Sequence, residues 1–70
     1  MNGLKALRER RVITQEELSG ASGVGIATIS RLETGRVKPS TKTTRALAKA
    51  LGISPEELRE LLVLEQQRLL

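Results

Sequence analysis

Only three residues, Gly23-Val24-Gly25, separate two segments that read as helices of about eight residues each. A link that short cannot return the second helix antiparallel along the first, so the pair must cross steeply. The upstream segment announces itself at Thr14-Gln15-Glu16-Glu17-Leu18. Thr14 can cap the chain while Glu17, three residues on, returns the bond, and the two acidic residues suit the positive helix terminus. Gly23 supplies the left-handed conformation that commonly ends a helix. Gly25 lets the next helix start at once, and it runs Ile26–Glu33 until Gly35 ends it. A steep crossing needs a small residue midway along its first helix, and Ser19 qualifies. Leu18, Val24, Ile29 and Leu32 fall where apolar contacts lock such a pair together.

The remaining elements follow from the same signals. Leu4–Arg11 reads as a first helix with Leu4 and Leu7 on its buried face. Pro39-Ser40 opens a fourth, with Ser40 as N-cap, Leu47, Ala48 and Leu51 pointing inward, and Gly52 closing it. Ser54-Pro55-Glu56-Glu57 is the cleanest start in the chain, with an N-cap serine, proline at the first helical position and glutamate at the third. The fifth helix continues through Leu58, Leu61 and Leu62 towards Leu70. No segment alternates as a strand does, so the expected fold is all-α, five short helices in one small domain.

A chain of 70 residues buries only roughly 60% of the surface its unfolded form exposes, so its stability is marginal without help. It has no Cys, no His and no aromatic residue. Disulfides and ordinary zinc sites are thereby excluded, the core is aliphatic, and regular helix packing and self-association remain. Without His, Cys or Tyr, acid-base and nucleophilic catalysis would fall to Ser, Thr, Lys and carboxylates, and no constellation of these is recognisable. The chain is read as a non-enzyme that needs no cofactor or metal. The net charge of +4 suggests a polyanionic partner. Arg36, Lys38, Lys42 and Arg45 form an acid-free basic segment, whereas Glu56, Glu57, Glu60 and Glu65 face Arg59 alone. This gives a basic pole and an acidic pole, as expected if one face meets phosphate. No run approaches the roughly 18 apolar residues of a membrane span and no signal-peptide pattern opens the chain, so no membrane association and a cytoplasmic location are expected.

With Ile29 and Leu32 turned inward, the outward face of the third helix is Ile26, Ala27, Ser30 and Arg31, free to enter a major groove. At these residues the sequence resembles the Cro/cI-type (Xre-family) helix-turn-helix repressors, over roughly residues 4–62. The matching text is Leu7-Arg8-Glu9, Thr14-Gln15-Glu16-Glu17-Leu18, Thr28-Ile29-Ser30-Arg31-Leu32-Glu33-Thr34-Gly35, Pro39-Ser40 and Ala48-Lys49-Ala50-Leu51-Gly52-Ile53-Ser54. The resemblance implies a compact five-helix, lambda-repressor-like domain over residues 1–62, with the helix-turn-helix at helices two and three. It implies sequence-specific binding of double-stranded DNA as a transcriptional regulator and repressor, by a homodimer on a palindromic operator. Related folds also serve as antitoxins or regulatory protein-interaction modules, and that alternative stays open. Val12 stands where the family often has Gly, and β-branched residues resist positive φ. Ser22 replaces a commonly apolar residue, and Gly25 replaces a frequent Ser cap. Ile26 and Ala27 stand where polar readers are common, which shifts the expected readout towards thymine methyl groups.

The resemblance assigns base reading to Ile26, Ala27, Ser30 and Arg31. It assigns phosphate contact to Gln15, Thr28, Thr34, Arg36, Lys38 and Lys42. For Gln15 the other reading is a solvated first-turn residue. Arg31 either grips a guanine edge or holds phosphate or an acid, and the basic run is either a backbone contact or a solvated face. Arg8 and Glu33 match family positions that form a partly buried ion pair between helices one and three, and Arg8 lies beside Leu4 and Leu7, where a lone charge is costly. Residues 63–70 are read as a helical extension. Leu62, Val63, Leu69 and Leu70 are expected at a dimer interface, because one apolar stripe serves the core and the other is left uncovered. The competing reading of residues 63–70 is the stub of a longer chain.

Overall fold

Local capping explains where most of the helices begin and end. The computed structural model describes residues 3–67, with side chains described through Val63. Its elements are α1 (Gly3–Arg10), α2 (Gln15–Ser22), α3 (Ile26–Glu33), α4 (Thr41–Leu51) and α5 (Pro55–Gln67), and no strand occurs among the described residues. At α2 the Thr14 hydroxyl accepts from the Glu17 amide at 3.0 Å while the Thr14 amide donates to Glu17 Oε1 at 2.8 Å. Ser40 Oγ accepts from the Thr43 amide at 3.1 Å, and Ser54 Oγ from the Glu57 amide at 3.1 Å, so α4 and α5 are capped in the same way. Gly25 precedes α3 in extended conformation and gives no side-chain cap. The first helix lies one residue earlier at each end than its apolar spacing suggests.

Helix α1 ends through a left-handed residue that is not glycine. Val12 has φ of 57°. Its amide donates to Glu9 O at 2.9 Å, and the Ile13 amide reaches back to Arg8 O at 3.4 Å. These crossed bonds satisfy two carbonyls that the helix end would otherwise leave open.

The core is aliphatic and drawn from every helix. Leu4, Leu18, Ile29, Leu32, Leu47, Ala48, Leu51, Leu58 and Leu62 are buried, and Leu7, Ile13, Val24, Val37, Ala50 and Ile53 pack around them. Helix α5 rests on α1 and α4, while α2 bridges α3 and α4 and α1 touches α3. Each buried Leu or Ile contributes roughly 1.5–3 kcal/mol of transfer free energy. The contact of α1 with α5 is close enough that a Cβ on Gly3 would stand 2.7 Å from the Leu61 carbonyl oxygen.

One expectation is corrected by the packing. Leu62, expected at a dimer interface, is only 2% exposed and belongs to the monomer core. It follows Leu58 by one helical turn, and with α1 and α4 both packed on α5 that stripe is covered from within. Val63, one residue on, is 43% exposed, while Leu69 and Leu70 lie outside the described residues. The basic and acidic segments meet at one groove between the start of α4 and α5, which Lys38 and Arg45 line from the first and Glu56 and Arg59 from the second. Among the described residues no helix is long and apolar enough to cross a membrane.

Candidate nucleic-acid interface

The crossing of α2 and α3 is closed by side chains as well as by apolar packing. Ser19 Oγ donates to the Val24 carbonyl at 2.6 Å, so the small residue at the crossing also pins the turn. Ser22 Oγ donates to Leu18 O at 2.7 Å and accepts from the Val24 amide at 3.1 Å. A polar residue at this half-buried position is therefore fully used. The turn is fixed by these bonds, and so is the angle at which α3 leaves it.

That fixed helix has two unlike faces. Ile29, Leu32 and Glu33 are buried, whereas Ile26, Ala27, Ser30 and Arg31 are exposed, Ile26 by 43%. Thr28 is half-buried between the faces. Thr34 ends the helix exposed, its hydroxyl donating to Arg31 O at 2.9 Å. Arg36, Lys38 and Lys42 are exposed on the loop and first turn of α4 that follow. The chain folds back at Gly35 and brings this segment against α3. Thr28, Arg31, Lys38, Ser40 and Thr43 consequently share a shallow groove of about 270 Å³. Sequence spacing does not reveal Ser40 and Thr43 as groove residues, because Ser40 is legible only as a cap and Thr43 carries no signal of its own.

Beneath this surface lies the one ion pair among the described residues. Arg8 Nε donates to Glu33 Oε2 at 2.6 Å and Arg8 Nη2 to Glu33 Oε1 at 3.3 Å, while Arg8 Nη1 donates to Ile13 O at 2.8 Å. Hydrogen bonding to Glu33 raises the Arg8 pKa above its ordinary value, against the opposing effect of burial, and the charges of Glu33 and Glu9 add to the rise. Gln15 joins the pair: its Nε2 donates to Glu33 Oε1 at 3.0 Å. The first residue of α2 is thus tied to the last of α3, and both to α1. The apolar spacing of Leu4 and Leu7 points to an inward Arg8, but nothing in the spacing connects Gln15 to Glu33.

Comparison with known proteins agrees with this geometry. Residues 3–61 match a family model described as a helix-turn-helix domain. The HTH-type transcriptional repressor RghR of Bacillus subtilis is 48% identical over 56 residues, 79% of this chain and 42% of that protein. The HTH-type transcriptional regulator DdrOP3 of Deinococcus deserti is 35% identical over 57 residues, 81% of this chain and 44% of that protein. A third relative, the uncharacterized HTH-type transcriptional regulator y4dJ of Sinorhizobium fredii, is 44% identical over 52 residues, 74% of this chain and 68% of its own. The chain spans less than half the length of the first two. No solved structure matches it significantly.

Proposed function

The chain belongs to the helix-turn-helix domain family, and on that premise we propose that it binds double-stranded DNA sequence-specifically as a transcriptional repressor, with α3 in the major groove. The observation that carries this reading is the division of α3 into a buried face and an exposed one. A helix roughly 10–12 Å across fits a major groove about 12 Å wide. Ile26 and Ala27 offer methyl contacts to thymine, Ser30 a hydroxyl, and Arg31 a bidentate grip on guanine. Thr28, Thr34, Arg36, Lys38 and Lys42 hold phosphate and set the register. Gln15 spends one amide hydrogen on Glu33, and its second remains for a phosphate beside α2. The repressor RghR, 48% identical over the shared segment, supports the sign of regulation.

One helix reaches only a few base pairs, so the working unit is a two-fold pair of copies on a palindromic operator. Such a pair sets its recognition helices about 34 Å apart, one turn of the duplex. Selection of bound sites from random duplexes, followed by titration against salt, tests the reading. Affinity falls steeply with salt as counterions are released. Arg31→Ala relaxes preference at one base pair in each half-site, by about 1–3 kcal/mol. Lys38→Ala weakens all sequences alike and lowers the salt slope by about one. Identical profiles for the two variants refute the division into readers and positioners. Selected sites without two-fold symmetry refute the pair.

A further inference from the structure

A second groove, also lined by Lys38, lies between the first half of α4 and residues 55–63 of α5, with a volume of about 340 Å³. That volume is within the roughly 300–1,000 Å³ of small-molecule sites. Pro39, Pro55 and Val63 give it apolar wall, and Lys38, Arg45 and Arg59 surround that wall with Glu56 as the single opposing charge. None of the three cations has an ion-pair partner among the described residues. Unpaired like charges beside low-dielectric wall focus a positive potential, which an anion relieves. A protein partner is a poorer fit. Stable interfaces cover about 800 Å² on each side, and among the described residues Val63 is the one large apolar side chain exposed at this groove.

We infer that the α4–α5 groove binds a small amphipathic anion of the medium-chain carboxylate class, and that its bound headgroup draws Lys38 away from DNA. The alkyl chain lies over Pro39, Pro55 and Val63, while Arg45 and Arg59 take the carboxylate through charge-assisted hydrogen bonds. Lys38 also lines the groove beside Arg31, so one side chain is shared by the two surfaces. This second half of the inference rests on the DNA-binding reading, and the first half does not.

The test begins without DNA. Octanoate is titrated into the ¹⁵N-labelled chain, with octylammonium and acetate as controls, and amide shifts are followed. Saturable shifts at Arg45, Arg59 and Val63 with octanoate alone are the expected result. Arg59→Gln weakens octanoate binding about tenfold, as loss of a charge-assisted bond requires, and leaves duplex affinity unchanged. Saturating octanoate then lowers wild-type duplex affinity to that of Lys38→Ala, and Lys38→Ala itself no longer responds. Absence of saturable shifts, or an equal response to octylammonium, overturns the site. Shifts at these amides that follow protein concentration without octanoate also overturn it, because a second copy then covers the groove. Octanoate binding with no effect on duplex affinity overturns the coupling alone, and a chain that binds octanoate but no duplex indicts the DNA-binding reading instead.

Discussion

Val12→Gly should make the protein more stable, although it deletes a side chain and adds backbone freedom. Val12 is the one non-glycine residue with positive φ among the described residues. The crossed bonds that end α1 there recur at Gly35, where Gly35 N reaches Leu32 O and Arg36 N reaches Arg31 O. They recur again at Gly52, where Gly52 N reaches Lys49 O and Ile53 N reaches Ala48 O. Both of those positions are glycine, with φ of 74° and 75°. A Cβ in this region costs roughly 1–2 kcal/mol, and a β-branched residue sits at the upper end. The valine returns little for it, since it is 87% exposed and its burial is worth a few tenths of a kcal/mol at most. Greater freedom of glycine in the unfolded chain takes back roughly 0.4–1 kcal/mol. The net gain is about 1 kcal/mol, or about 4–8 °C in Tm for a domain of this size. Thermal and urea unfolding followed by circular dichroism measure it, with Val12→Ala as control. Alanine keeps the Cβ and so keeps most of the strain. If Val12→Gly is no more stable than Val12→Ala, the strain argument is wrong.

Three further perturbations test the packing. Glu33→Ala leaves the Arg8 guanidinium, whose side chain is 11% exposed, without its carboxylate, and should cost about 3–5 kcal/mol in urea unfolding; Glu33→Gln keeps the shape and should cost less. Leu62→Ala should cost about 2–5 kcal/mol as a core deletion, and Val63→Ala should stay within about 0.5 kcal/mol; equal losses in melting experiments would return Leu62 to the surface. Two helical glycines should respond with opposite sign. Gly3→Ala pushes a Cβ against the Leu61 backbone at 2.7 Å and costs about 1–3 kcal/mol, whereas Gly20→Ala, with nothing within 4 Å, gains roughly 0.5–1 kcal/mol.

The helices were legible in the sequence because their starts are local events: Thr14 with Glu17, Ser40 with Thr43 and Ser54 with Glu57 each close a bond over three residues. The exposed face of α3 was legible for a similar reason, since Ile29 and Leu32 fix its phase. What spacing could not supply was adjacency between segments. Leu62 and Val63 differ by about 100° around one helix, and only the arrival of α1 and α4 decides which of them is covered. The meeting of Lys38 with both Arg31 and Arg59 depends in turn on the path of residues 35–40, which no periodicity describes. Gln15 shows what this adjacency does. Its position at the start of α2 suggests an outward polar contact, yet its amide is oriented by a carboxylate eighteen residues away that also holds Arg8. The proposed phosphate contact is therefore aimed by the same bond network that ties α1 to α3. On the proposed reading, a substitution at Glu33 disturbs folding and recognition together, whereas one at Arg31, exposed and without an ion pair among the described residues, disturbs recognition alone.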